Sequence, residues 1–532
     1  MILFGKALTL LSLYALLVVP SCLITKSERP VKTTDQYWRE TGLGSTELED
    51  LLADKSCFHN QKSFLACVGS VNSMAERYNL TLEMDGRFVS LTGKNLESTA
   101  NEKVVLKKWE TLFGGPETAL SFSFLEKWQE LDKKYIGSAE RSAVIAAGIN
   151  GFLSVIKDPH TYILPIAQYE EVISTSGAKQ DKLGFIFRKS GTKVFVKKVF
   201  EGSPAEKAGL RKSDEILEIN GKKVHQLLLS QMTEMIRLRH GERLGIFVIR
   251  KGEKKYIEIL KTDTIYPSVT SKILPGPAKL GLLMIHKFSR QVCENSKHQL
   301  IGMMEQGIRG LLIDVRDNPG GQLDEAACIA NLFVKKNTVL FETRYLDPVR
   351  IGETYTSEKE MVYSGPLAVL INSGSASASE ILAGTLKDLG RAVLVGERTF
   401  GKGSFQDGHV WGQNNKIALF QTEGLYYFPS GWTPQLVGLE PDVPVAFNNS
   451  DSQREAEMYY NPIHPKDSWT GPQTLAWLNQ FDCESQRLGF NDLNDLNPTI
   501  AEDVQIKEAR GWLLCKSNQK AAPKSPSAEI RQ

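Results

Sequence analysis

The chain has 532 residues, 41 % of them apolar and 24 % charged, with a formal net charge of +2. That length allows about three or four globular domains, and the near-balance of charge gives no reason to expect a nucleic acid or a strongly acidic surface as partner. No CxxC or Cys/His metal spacing occurs, and no short-period repeat.

The first residues are not fold. Met1 to Lys6 bears one positive charge, Ala7 to Val19 is apolar, and Val19-Pro20-Ser21-Cys22 ends the run. This pattern reads as a secretory signal over residues 1–21, cut before Cys22; it is short for a membrane span. Cys22 also resembles the lipidated cysteine of a bacterial lipoprotein box, although Pro20 departs from that pattern. A lipid-anchored and a soluble exported protein stand as alternatives, in the bacterial periplasm or cell envelope. Without Cys22 six cysteines remain. Cys57–Cys67 and Cys483–Cys515 are the candidate disulfides, because both pairs lie in peripheral segments. Cys293 and Cys328 sit in apolar, core-like patterns and read as free buried thiols.

From about Asp35 to Ile173 the apolar residues recur at helical spacing, as in Phe64-Leu-Ala-Cys-Val-Gly-Ser-Val and Phe124-Leu-Glu-Lys-Trp-Gln-Glu-Leu. A further helix, Ala139 to Ile156, is stopped at Lys157-Asp158-Pro159-His160-Thr161-Tyr162 by its proline.

The next stretch, about Lys182 to Thr262, contains Leu183-Gly184-Phe185-Ile186-Phe187, then Gly202-Ser-Pro-Ala-Glu-Lys-Ala-Gly-Leu210, then Asp214-Glu-Ile-Leu-Glu-Ile-Asn220-Gly221. Asn220-Gly221 predicts a hairpin turn, and Leu227 to Leu238 an amphipathic helix. Together these residues resemble a PDZ domain, which adds an extended peptide to a sheet edge and holds its terminal carboxylate on backbone N–H groups. The resemblance implies a peptide-binding site at Leu183, Gly184, Phe185, Ile186, Phe187 and Leu227, with Phe185, Phe187 and Leu227 making the pocket apolar.

Strand, loop and helix then alternate. Leu280 to Ile285 is a strand, Ser296 to Gly307 a helix, and Gly310 to Val315 a buried strand leading into Arg316-Asp317-Asn318-Pro319-Gly320-Gly321. Asp324 to Phe333 is a helix, and Pro366 to Ser373 the next buried strand. This alternation predicts a parallel or mixed sheet covered by helices, with its functional site beyond the carboxyl ends of the strands. One such end carries Gly374-Ser375-Ala376-Ser377-Ala378-Ser379-Glu380-Ile381, a strand-to-helix turn rich in serine. A serine there has its hydroxyl exposed and the free N–H groups of a helix start beside it. A base is required, and Gly401-Lys402-Gly403-Ser404-Phe405-Gln406 offers a lysine between two glycines. Burial disfavours the charged form of a lysine and so can make it a base at neutral pH.

The pair GSASASEI and GKGSFQ resembles the signature of the carboxy-terminal processing (tail-specific) proteases, which use a serine–lysine dyad. The resemblance covers about Phe124 to Phe447. It implies Ser377 as nucleophile, Lys402 as general base, and Gln406 as the residue that orients the lysine. Asn318-Pro-Gly-Gly is similar to the family's second oxyanion element, which assigns the oxyanion hole to the N–H of Ala378 with that of Gly320 or Gly321. The Asp-Pro-His-Thr run is similar to a segment that precedes the PDZ domain in this family, with a structural role for His160. Arg237 matches an arginine after the groove helix and is a candidate for coupling PDZ domain to protease, although Leu238 replaces the usual glycine; a solvated helix charge is the other reading. Asp388 reads as structural support.

The expected architecture is therefore α/β and multidomain: signal peptide 1–21, N-terminal helical extension 22–123, helical part of the protease region 124–181, PDZ domain 182–262, mixed α/β protease core 263–447, and C-terminal extension 448–532 with a disordered tail. The expected activity is that of an exported serine endopeptidase using an acyl-enzyme, without metal or other cofactor. Its partners would be protein substrates with flexible apolar C-termini, with an adaptor or a second copy docking on the extensions. Two rivals are a catalytically silent PDZ scaffold and a serine–histidine hydrolase using His409.

Overall fold

The computed structural model describes residues 33–85, 88–93, 102–113, 122–175, 183–190, 192–200, 202–227, 229–236, 238, 240–262, 267–274, 276, 279–412, 415–446, 454–465 and 503–519. The expected signal, Cys22, Arg237, Cys483 and the helical patch at 473–478 lie outside them. Among the described residues no helix is long and apolar enough to cross a membrane.

The helical region is built on α1 (Thr34–Thr41), α2 (Gln61–Ala75), α3 (Phe124–Lys134) and α4 (Arg141–Ile156). Asn60 caps α2 by accepting the Ser63 N–H at 2.9 Å. Helices α2 and α4 cross where two glycines meet: a Cβ on Gly151 would lie 2.6 Å from the Gly69 carbonyl oxygen. One apolar core holds Phe64, Trp109, Phe124, Trp128, Ile145 and Ile149, and so spans the boundary expected at residues 123 and 124. The expected Cys57–Cys67 disulfide is present in it. An unforeseen hairpin, Leu80–Asp85 with Phe88–Gly93, also packs there. Strand β1 (Tyr162–Pro165) follows α4 and ties this region to the core below.

Residues 183–260 form an antiparallel sheet in the order β2 (Phe185–Ser190), β3 (Lys193–Val199), β4 (Glu215–Ile219), β5 (Arg243–Arg250), β6 (Glu253–Leu260). Asn220 and Gly221 both hold positive φ, 46° and 76°, as the predicted tight turn requires. Helix α5 spans Leu229–Met235, shorter than expected. Strand β2 is an edge, the position at which a peptide could be added.

The core sheet runs β7 (Val269–Leu274), β8 (Leu280–Ile285), β9 (Gly310–Asp314), β12 (Leu367–Ile371), β13 (Val393–Gly396), β16 (Val443–Pro444). All pairs are parallel except β7 with β8. Helices α6 (Val292–Glu305), α7 (Leu323–Asn331) and α8 (Ala378–Asp388) help cover one face, and α9 (Val504–Gln519) the other. A second sheet combines β10 (Val339–Tyr345), β11 (Thr354–Thr356), β14 (Ser404–Trp411) and the long β15 (Ile417–Tyr427), to which β1 adds.

One cysteine expectation is corrected. Cys293 and Cys328 are not free thiols: they form a disulfide that joins α6 to α7. A bonded pair is as apolar as two buried thiols, so their surroundings could not distinguish the two states.

Candidate active site

Leu367 to Ile371 are all buried, which fixes β12 within the sheet and delivers the next turn to its carboxyl edge. Parallel β9 is its neighbour, so residues 315–321 emerge beside that turn. Ser377 holds φ 56 and ψ −119, which a non-glycine residue adopts only when its surroundings impose it, at a cost of roughly 1–3 kcal/mol. The flanking serines supply the constraint. The Ser375 hydroxyl donates to Val315 O at 2.8 Å and the Ser379 hydroxyl to Asn318 O at 2.8 Å. Both are wholly buried, whereas Ser377 is partly accessible. The three serines therefore differ in kind: two stitch the turn to the adjacent loop, and the middle one is presented.

Glu380, in the first turn of α8, is fully buried, and four donors converge on it. Its Oε2 accepts the N–H of Ser377 at 3.0 Å and of Lys402 at 2.8 Å. Its Oε1 accepts the Thr399 hydroxyl at 2.5 Å and the Gly401 N–H at 2.9 Å. Burial pushes the carboxyl up to about 7, and these four donors pull against it. Sequence reasoning passed over Glu380, although Ser-x-x-Glu at a helix start was a visible signal. Tyr426, wholly enclosed, adds a second tie: its hydroxyl donates to Lys402 O at 3.0 Å and approaches Ser377 O at 3.4 Å.

Lys402 is half-buried as a residue, but its amine end is enclosed, and that end governs its charge. Nζ donates to Ser404 O at 2.9 Å and to Gln406 Oε1 at 2.8 Å. Desolvation pulls its pKa down to about 8, against the opposing pull of the Glu455, Glu380 and Asp158 charges. Gly401, at φ 94, gives the bend that turns the lysine inward, and Gly403 donates its N–H to Gln435 Oε1 at 2.7 Å. Gln406 stands where expected. His409 does not: it meets Glu423 at 3.1 Å with half its side chain exposed.

Of the two glycines expected to donate into the oxyanion hole, Gly320 is already engaged, its N–H donating to Asn318 Oδ1 at 2.9 Å. Gly320 packs so tightly that a Cβ there would lie 2.8 Å from Ser377 Cβ and 2.9 Å from the Ala378 nitrogen. Gly321 lies in a parallel bridge in which Phe288 bonds Gly320 O and the Gln322 N–H, so strand geometry turns the Gly321 N–H the other way.

The sheet that bears the candidate peptide groove reaches this site through lysines. Lys197, on β3, pairs with Asp317 at 3.0 Å; burial opposes the charge on Asp317, but Lys197 beside it holds the carboxyl below its usual range. Leu183, Phe185 and Leu227 are buried in that sheet's own core, with Phe187 packed at its margin and Ile186 exposed on the edge strand. Gly184, at φ 83, opens the loop before β2.

The partners of Arg316 were not legible in advance, whereas His160 and Asp388 were read as structural. Arg316 forks onto Asp314 at 2.9 and 2.6 Å and reaches Asp503 at 2.8 Å and Gln505 at 3.0 Å. His160 meets Glu455 Oε1 at 3.1 Å, and Gln435 donates to the same oxygen at 3.0 Å. Asp388 accepts the Ser430 hydroxyl and N–H at 2.6 and 2.9 Å, holding a turn.

Residues 279–445 match Peptidase family S41 and residues 182–260 match a PDZ domain. A Staphylococcus aureus (strain N315) protein named probable CtpA-like serine protease is 27% identical over 391 residues, 67% of this chain and 76% of its own. The carboxy-terminal processing protease CtpA of Bacillus subtilis (strain 168) is 26% identical over 320 residues, 59% of this chain and 68% of its own. Among solved structures, the photosystem II D1 C-terminal processing protease is 27% identical and covers 60% of this chain and 86% of its own, at a TM-score of 0.43. Both the Ser377 turn and the Lys402 loop fall within the segment that matches Peptidase family S41, and the edge strand β2 within the PDZ match: the chain is a serine-type peptidase with a PDZ domain.

Proposed function

We propose that the protein is an exported endopeptidase that takes hold of protein carboxyl termini and cleaves by a serine–lysine dyad. The observation that carries this reading is Lys402, its amine desolvated and anchored to Gln406 and its backbone N–H tied through Glu380 to the Ser377 turn. Neutral Lys402 removes the Ser377 hydroxyl proton as Oγ attacks the scissile carbonyl carbon. The carbonyl oxygen takes the negative charge and is held by the N–H groups of Ala378 and Gly321. Protonated Lys402 gives that proton to the leaving amine as the C–N bond breaks, leaving an ester on Ser377. Water then attacks the ester, Lys402 takes the water's proton and returns it to Ser377 Oγ, and the acid product departs.

Substrate chemistry follows from the PDZ domain. An extended, apolar carboxyl terminus adds along the free edge of β2 and places its last side chain near Phe187 and Leu227. The apolar leader at residues 1–21 supports export, with Cys22 as a candidate lipid anchor. A silent scaffold would have no use for a lysine held in this way.

The test is degradation of a loosely folded reporter with an apolar tail. Wild type should cleave it and Ser377→Ala should not. Cleavage should fall when the tail ends in a charged residue. Equal cleavage by Ser377→Ala would overturn the assignment of the nucleophile.

A further inference from the structure

Lys402 as a base has a requirement that Gln406 alone does not meet. A neutral amine has two hydrogens and one lone pair. Here both hydrogens have acceptors, Ser404 O and Gln406 Oε1, which leaves the lone pair for the serine hydroxyl. Were the Gln406 amide reversed, its NH2 would face Nζ and take that lone pair. Its far end touches Thr422 Oγ1 and Ser404 Oγ, each at 3.2 Å. Hydroxyls can donate or accept, so they do not in themselves choose the amide's direction.

The choice is made one link further on. The Thr422 hydroxyl has a single hydrogen and gives it to Asp158 Oδ1 at 2.7 Å. A carboxylate only accepts, so the Thr422 oxygen is left to accept from Gln406. Asp158 is itself immobilised. It is 5% exposed, its Oδ1 also accepts the His160 N–H at 2.9 Å, and its Oδ2 accepts the Thr161 hydroxyl at 2.5 Å. Thr161 in turn accepts the Thr422 N–H at 3.3 Å. The Asp-Pro-His-Thr turn after α4 thus wraps a carboxylate with its own backbone and hydroxyl and aims it at β15.

We propose that Asp158 is a positioning residue for Lys402, acting through the Thr422 hydroxyl and the Gln406 amide to keep the lysine lone pair turned toward Ser377. The orientation of the base is then imposed from outside the segment 279–445, by the helical region that precedes the PDZ domain. The charge of Asp158 has a second, weaker effect. Lys402 is faced by Glu380 from α8, Glu455 from the segment after the core, Asp158 from the turn after α4 and Tyr426 from β15, with His160 bonded to Glu455. The three carboxylates each favour the protonated amine against burial.

This proposal rests on the serine–lysine reading, and the experiment separates the two. Steady-state cleavage of the tailed reporter is measured from pH 6 to 10 for wild type, Asp158→Asn, Thr422→Val, Thr422→Ser and Lys402→Ala, with thermal unfolding of each. Asp158→Asn keeps the shape but can donate to Thr422, and Thr422→Val breaks the relay while leaving the carboxylate in place. Both should lower kcat about 10- to 100-fold with KM within about twofold. Thr422→Ser, which keeps the hydroxyl, should retain wild-type kcat. The acidic limb of the pH profile should move to lower pH in Asp158→Asn and stay put in Thr422→Val. A folded Asp158→Asn with wild-type kcat and pH profile would overturn the proposal. If Asp158→Asn fails to fold, wild-type kcat in Thr422→Val does so instead. Cleavage by Lys402→Ala would overturn the dyad itself, whereas an inactive Lys402→Ala beside unaffected relay variants overturns only the relay.

Discussion

Ser377 and Lys402 hang from one atom: the backbone N–H groups of both end on Glu380 Oε2, at 3.0 and 2.8 Å. The other Glu380 oxygen is just as fully engaged, by Thr399 and Gly401. Whichever way an amide were turned in place of this carboxylate, an NH2 would face two donors. Glu380→Gln should therefore lose about 1–3 kcal/mol of stability, and misalignment of the two segments should cut cleavage about 100-fold. Urea unfolding and reporter cleavage on one preparation would check both, and full activity would remove Glu380 from the alignment of the site.

The pH dependence should be that of a depressed lysine. With the Lys402 pKa pulled down to about 8, kcat/KM should rise about tenfold per pH unit below pH 8 and level off above it. A histidine base would level off near pH 7 instead. Stability follows the same linkage. The folded pKa lies below the ordinary value of 10.5, so the folded state binds fewer protons than the unfolded one. The contribution of Lys402 to stability is then complete above pH 10.5 and is lost as pH falls through 8. The stability of Lys402→Met relative to wild type should accordingly be greater at pH 7 than at pH 10, as read by denaturant midpoints.

The serines should separate cleanly. Ser375→Ala and Ser379→Ala each remove a buried hydroxyl that donates to a carbonyl of the 315–321 loop. Each should cost about 1–3 kcal/mol, since a buried acceptor loses its donor, while leaving measurable cleavage. Ser377→Ala should abolish cleavage with little change in unfolding. Calorimetry and an activity assay on the three variants suffice.

The Cys293–Cys328 bridge closes a loop of 35 residues between α6 and α7. On chain-entropy grounds its removal should cost about 3–4 kcal/mol. The double variant Cys293→Ala/Cys328→Ala should show this as a lower denaturant midpoint with an intact far-UV spectrum. An unchanged midpoint would mean that the bridge adds nothing to the folded state.

What could be read from the sequence was local chemistry. Glycines at 401 and 403, the serine-rich turn after an unbroken apolar strand, and Asn220-Gly221 all announce backbone geometry within a few residues of themselves. Glu380 lay within reach of the same reasoning, three residues from Ser377. The remaining partners did not, because topology rather than spacing brings them together. Thr422 meets Asp158 across 264 positions, and Arg316 meets Asp503 across 187. Nothing about a threonine in a strand or an aspartate before a proline marks one for the other until β1 is laid against β15. The cysteines show the opposite limit: 293 and 328 were read as core correctly and as unbonded wrongly, since burial is common to both states.

The Arg316 cluster also has a bearing on timing. Arg316 lies two residues past the end of β9, in the loop that runs to Gly320 and Gly321, yet two of its anchors, Asp503 and Gln505, are made almost 200 residues after it. At ribosomal speeds of about 5–20 residues per second, a nascent chain waits roughly 10–40 s between synthesis of the arginine and arrival of its clamp. The loop beside the serine therefore receives these two anchors last, after every strand of the core sheet has been made.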